Sequence, residues 1–418
     1  MPRFKQTSWI RDMNRQERNA FAAAFGGYAI DAFDYMTYTF VISTLIASWQ
    51  MTNTQAGLIA TGSLLSSALG GWAAGVLADR YGRVKMLQVS VLWFTFFTFL
   101  SGFTNSFEQL LLTRTLQGLG FGGEWSVGAI LIAEMIRPEH RGKAVGLVQS
   151  SWALGWGVAA IAYAAVYSAL KPDVAWRLLF WLGLLPAVLV IYIRRNVSES
   201  QIYIQSRTKV EAGEDRPSFL AIFSPALLKT TLLASLLATG MQGGYYAVTT
   251  WLPTYLKTER HLSVLNTGGY LLVLILGSFI GYLVSAYLSD TIGRRNGFVL
   301  FAISAGTVVV TYTQIPINDT VMLFLGFPLG FFLSGIFSGM GAFLSELFPT
   351  EIRGSGQGFC YNFGRAIGSL FPALVGYFSK GIPLGVAIGL LASSAYLIVV
   401  VAALLLPETK GKILAAYS

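Results

Sequence analysis

Charge is scarce in this chain. Of its 418 residues only 12% are Asp, Glu, Lys or Arg, about half the roughly 25% of soluble domains. With 54% of the residues hydrophobic, too little polar surface remains to cover a water-soluble globule. Cysteine occurs once, at Cys360, which excludes an intrachain disulfide framework and any multi-cysteine metal centre. The two histidines, His140 and His261, have no ligand partner at zinc spacing. No nucleophile–base grouping stands out, so neither enzyme activity nor a cofactor is expected. The net charge of +9 invites a nucleic-acid partner, but the basic residues are scattered between apolar runs, which argues against one.

Long apolar runs are what the chain has in quantity. A crossing helix needs about 20 apolar residues, and twelve segments qualify, near 20–46, 56–78, 86–103, 107–136, 142–168, 175–194, 228–254, 265–288, 297–315, 320–346, 355–378 and 382–406. A basic leader (1–19), a polar central loop (195–227) and a short tail (407–418) lie outside two six-helix units, 20–194 and 228–406. Twenty-two of the 29 Lys and Arg fall in the termini and in alternate connections that share one side. By the positive-inside rule both termini are expected in the cytoplasm.

The two units repeat one another. Gly71–Lys85 reads GWAAGVLADRYGRVK, and SAYLSDTIGRR echoes it downstream, with Asp79 and Asp290 separated by 211 residues. Glu134 and Arg141 recur as Glu346 and Arg353, each offset by 212, and Glu199 recurs near Glu408. Two homologous bundles in parallel arrangement are a transporter architecture with substrate between them. The loop GxLADRxGRxK after a second hydrophobic helix resembles that of major facilitator superfamily transporters. The resemblance implies an all-α fold of twelve transmembrane helices in two pseudo-symmetric bundles. It also implies a gating role for Gly75, Asp79, Arg80, Gly82 and Arg83. On this reading a cytoplasmic latch joins these to Glu134 and Arg141, with Asp290, Arg294, Glu346 and Arg353 in the second half. The bland alternative is topogenic and headgroup-binding charge.

Charges inside the hydrocarbon are expensive, so each needs a reason. Asp31 and Asp34 share a face of the first helix; near-neighbour carboxylates suit a site that gains and loses a proton. Asp34 is the first candidate and Asp31 the second. In helix four, Arg114 and Glu124 are ten residues and about 15 Å apart on one face. Arg114 can grip a carboxylate through two parallel hydrogen bonds, or pair structurally with Asp34 or Glu124. Glu124 can relay a proton or balance Arg114. Arg365 is the second anion-binding candidate, or else a structural arginine near the interface, with Asn362 beside it and Pro372 placed to bend the helix. Gln242, Tyr245 and Tyr246 are expected to line a cavity near an unwinding point at Gly243–Gly244, with Trp152 as a further wall. Trp251 is expected as an interfacial anchor. GLGFGG in helix four has no strand before it, so it is not a nucleotide loop.

DAFDYMTYTFV, GFGGEWSVGAILIAE and the terminal PETKG resemble the sialate/metabolite:proton symporter branch of that superfamily. The resemblance implies proton-coupled uptake of a small organic acid, with lactate or pyruvate leading and aromatic acids, dicarboxylates or sialate as alternatives. A proton-driven exporter shares the fold. Expected partners are the acid, protons and membrane lipid; the expected setting is the bacterial inner membrane, with the chain acting as a monomer.

Overall fold

The computed structural model describes residues 8–11, 13–136, 138–185, 187–200, 204, 219–349 and 352–410, with all their side chains except those at 8, 9, 79, 133, 138–143, 145, 219, 265, 286, 290 and 354. Twelve helical crossings follow one another. They are α1 (Arg15–Trp49), α2 (Asn53–Tyr81), α3 (Arg83–Ser101), α4 (Phe107–Met135), α5 (Pro138–Ala169) and α6 (Pro172–Leu182, then Ala187–Asn196). The second half holds α7 (Leu228–Thr258), α8 (Val264–Ile292), α9 (Arg294–Gln314), α10 (Asp319–Gly335, then Met340–Leu347), α11 (Arg353–Gly368, then Phe371–Phe378) and α12 (Leu384–Leu405). The architecture is the all-α pair of six-helix bundles that the repeat implies. An even number of crossings puts the start of α1 and the end of α12 on one face, the terminal face; short loops such as 50–52 and 102–106 form the opposite face.

Helix ends are set by local chemistry. α1 starts five residues before its apolar run because Asn14 and Glu17 each accept a hydrogen bond from the other's backbone N–H, both at 2.8 Å, closing a capping box. The tight turns α2–α3 and α8–α9 pivot on Gly82 and Gly293, with φ of 103° and 100°, where a side chain would be strained. α11 breaks just before Pro372, as proline demands. The expected unwinding at Gly243–Gly244 does not occur: α7 is continuous from Leu228 to Thr258. Those glycines instead make room for rings, since a Cβ at either would sit 2.7 Å from Phe371 or Tyr396. Trp251 is likewise no interfacial anchor; it is fully buried and donates from Nε1 to the Pro372 carbonyl at 3.0 Å.

The halves meet where α2 packs on α11, α5 on α8 and α1 on α7. Toward the opposite face this seam is bonded shut. Asn53 donates to Ser379 Oγ at 2.9 Å, Thr54 to the Gly376 carbonyl at 3.3 Å and Thr61 to the Ser369 carbonyl at 2.6 Å. Among the described residues, eight crossings are long and apolar enough to span a membrane on composition alone. The remaining four are α1, α4, α7 and α11. They are less apolar because they carry the buried polar residues described next.

Candidate substrate and proton site

Two carboxylates on α1 engage two charged residues on α4, but the pairs differ in chemistry. Asp34 faces donors only. Arg114 Nη1 reaches its two oxygens at 3.1 and 3.3 Å, Thr98 donates at 2.5 Å, and Gln117 closes the other side. Both side chains are 1% exposed, and the rings of Tyr38 and Phe180 lie 5.8 and 5.7 Å from the guanidinium. Apart from Nε of Arg114, this is a satisfied, fully countered ion pair.

Asp31 and Glu124 form the second pair, and it has no counterpart of the donors that surround Asp34 among the described residues. Both oxygens of Asp31 and Oε2 of Glu124 are buried without a hydrogen-bond partner among the described residues. Each carboxyl is the other's strongest electrostatic neighbour; Asp34 and then Arg365 are the next charges felt by Asp31. Gly27, one turn before Asp31, lets Glu124 close on α1, because a Cβ there would collide with Oε1. On the terminal side of Glu124 a cavity of about 30 Å³, lined also by Tyr28, Trp125 and Gln149, has room for water.

Arg365 is the odd charge out. It is 3% exposed, and Nε and Nη1 have no hydrogen-bond partner among the described residues; Nη2 donates to the Tyr361 hydroxyl at 3.4 Å. Instead of a carboxylate it faces the rings of Tyr361, Trp125 and Phe121 at 5.1, 5.4 and 5.7 Å. Gln242 donates to the Tyr361 carbonyl at 2.9 Å and accepts from the Tyr246 hydroxyl at 3.3 Å. Trp152 donates to the Tyr245 hydroxyl at 2.6 Å, across the seam between halves. Asn362 Oδ1 is buried and unpartnered. The structure therefore gathers Arg365, Gln242 and Tyr246, sets Tyr245 and Trp152 alongside, turns Asn362 Oδ1 toward Gly71 of α2, and leaves Arg114 with its own counter-ion.

On the terminal face the repeat becomes geometry. Arg83 pairs with Glu134 at 3.2 Å, and Arg294 with Glu346 at 3.1 Å. Glu199 accepts from the backbone N–H of Arg83 and Val84 at 2.9 and 2.8 Å. Glu408 does the same for Arg294 and Arg295, at 2.9 and 3.2 Å. A carboxylate on a helix N-terminus satisfies free amides and the macrodipole together. These four contacts each lie within one half. Gly75 meets nothing within 4 Å of a built Cβ. Arg353 donates to the Ser345 carbonyl at 2.9 Å, and Arg80 stacks over Tyr81 at 5.5 Å. The side chains of Asp79, Arg141 and Asp290 lie outside the described residues.

Comparison with known proteins settles the family. The sequence profile of the Major Facilitator Superfamily matches residues 24–318 and 273–416. The chain belongs to the Major Facilitator Superfamily. It is 41% identical, over 97% of its length and 94% of the relative's, to a probable 4-methylmuconolactone transporter of Cupriavidus pinatubonensis. It is 28% identical, over 93% and 94%, to the cis,cis-muconate transport protein of Acinetobacter baylyi. The fold matches that of the E. coli xylose transporter XylE in its inward-open conformation, with a TM-score of 0.74 at 16% identity, over 95% and 98% of the chains. The protein is thus an integral, multi-pass membrane transporter.

Sequence reasoning missed several residues of this superfamily member's site. Thr98 and Gln117 on Asp34, and Phe121, Trp125 and Tyr361 around Arg365, are revealed only by contact. One signal was available: Trp125 adjoins Glu124, and Tyr361 lies one helical turn before Arg365.

Proposed function

We propose that the protein imports a small organic acid together with a proton by alternating access. The observation that carries this reading is the buried guanidinium of Arg365, which makes no hydrogen bond to a carboxylate among the described residues. An isolated buried charge costs several kcal/mol; a substrate carboxylate that pairs with two of its N–H groups offsets that cost. In this reading Arg114 and Asp34 hold α1 to α4, and the anion role belongs to Arg365. Gln242 and Tyr246 supply the polar wall.

The proton belongs to Asp31 and Glu124. Two buried carboxyl groups in contact, with no donor between them, cannot both be ionised. With one proton shared, the pair carries a single negative charge that Arg365 partly balances. A substrate monoanion on Arg365 removes that balance, and the pair takes up a second proton. One proton then accompanies each monoanion, and the step is electroneutral. The cavity beside Glu124 gives the proton a way out toward the terminal face. That face carries most of the basic residues, and we place it in the cytoplasm of a bacterial inner-membrane protein. The bonds of Asn53, Thr54 and Thr61 across the seam are the contacts that must part to admit substrate from outside.

The relatives named for 4-methylmuconolactone and cis,cis-muconate favour an unsaturated acid or lactone over lactate or pyruvate. The test is uptake into proteoliposomes under an inward proton gradient, comparing cis,cis-muconate, benzoate, lactate and xylose. Proton-dependent uptake of an acid, lost in Arg365→Ala, supports the reading. Uptake of the sugar alone, or acid uptake indifferent to Arg365→Ala, sinks it.

A further inference from the structure

Trp125 and Tyr361 lie nearly parallel, their ring centroids 4.2 Å apart with planes 8° from each other. They come from opposite halves, Trp125 from α4 and Tyr361 from α11. Their spacing is therefore fixed by how far the halves stand apart, not by either bundle alone. Arg365, one turn beyond Tyr361, lies over both rings at 5.4 and 5.1 Å. Phe121, one turn before Trp125, faces the same guanidinium. Trp125 is only half-buried, whereas Tyr361 and Arg365 are buried.

We infer that Trp125 and Tyr361 form a two-jawed clamp that selects planar, conjugated carboxylates. The clamp rests on the proposed anchoring of the carboxylate by Arg365. In this conformation the jaws close on each other. Separation of the halves by one ring thickness, about 3.5 Å, turns the stack into a flat slot with the unpartnered N–H groups of Arg365 at its edge. A planar acid that sets its carboxylate on Arg365 slides its π-system between the jaws and replaces the Trp–Tyr contact with two equivalent ones. A puckered ring is too thick for the same gap, and a short hydroxy acid leaves it unfilled. The clamp thus links substrate shape to the approach of the two halves.

The discriminating ligands are benzoate and cyclohexanecarboxylate, which share a carboxylate on a six-membered ring and differ in flatness. Their affinities are measured by calorimetry on the full-length protein in detergent. The wild type is expected to prefer benzoate by about tenfold. Trp125→Leu is expected to weaken benzoate about 3- to 10-fold, the range of an aromatic contact, while moving cyclohexanecarboxylate less than about twofold. Trp125→Phe keeps most of the preference, and Tyr361→Leu repeats the Trp125→Leu result from the other jaw. Equal affinity of the wild type for both acids, or equal weakening of both by Trp125→Leu, overturns the clamp. If Arg365→Ala then still abolishes both, the anchor stands without the clamp. Binding that survives Arg365→Ala, or no binding of either acid by the wild type, overturns anchor and clamp together.

Discussion

Arg114 and Arg365 are equally buried and equally charged, yet their surroundings are opposites. Arg114 meets Asp34 at 3.1 Å inside a set of donors that leaves the carboxylate no unmet need. Arg365 meets three aromatic rings and no carboxylate. The first arrangement is complete within the protein; in the proposed function the second is completed by the substrate anion. Burial of a charge therefore does not by itself mark a binding site; the proposal rests on the lack of a bonded carboxylate at Arg365.

Substitutions at the two arginines should part company. Arg365→Ala should abolish acid uptake and weaken binding by about 2 kcal/mol or more, some 30-fold. Thermal unfolding in detergent should change little, because no carboxylate is hydrogen-bonded to Arg365 and stranded by its removal. Arg114→Ala should do the reverse, lowering stability by about 3–5 kcal/mol by stranding Asp34. A second substitution, Asp34→Asn, should recover much of that loss.

The carboxyl pairs should separate in the same way. Glu124→Gln removes the titrating partner of Asp31 without stranding a charge. Wild-type uptake should rise as the outside is acidified. The variant should lose gradient-driven accumulation and this pH dependence, yet still exchange labelled for unlabelled acid across the liposome membrane. The smallest effects are expected on the terminal face. Glu199→Ala removes a helix cap worth about 1 kcal/mol, and Glu408→Ala removes less at a more exposed site, both read by thermal unfolding. Comparable modest losses would show two matching braces, whereas a loss of transport at full stability would show a latch between halves.

Much of the fold is legible in the chain. Apolar runs of crossing length and the 211-residue recurrence of Asp79 in Asp290 are local or periodic signals. Pro372 likewise announces the break in α11. Gly243–Gly244 misleads because a glycine pair reads the same whether it frees the backbone or admits a neighbouring ring. Only the approach of Phe371 and Tyr396 tells these apart. Trp251 misleads because its position near a helix end says nothing about α11 lying over it. The site is legible as a set of charges but not as a set of pairs. Asp34 finds Arg114 80 residues away, and Trp125 finds Tyr361 in the other half of the chain. No spacing within one helix encodes such partners. Glu199 and Glu408 recur in the sequence, but their work on the helix ends appears only in contact with backbone amides.

The most direct test sets the two arginines against each other in one assay. Benzoate uptake into proteoliposomes would be measured for Arg365→Ala and for the charge-free double variant Arg114→Met/Asp34→Leu. The double variant removes both members of the countered pair together, a change that stability tolerates. The account predicts that the double variant still takes up benzoate under a proton gradient and that Arg365→Ala does not. Uptake by Arg365→Ala with an inert, well-folded double variant would contradict it.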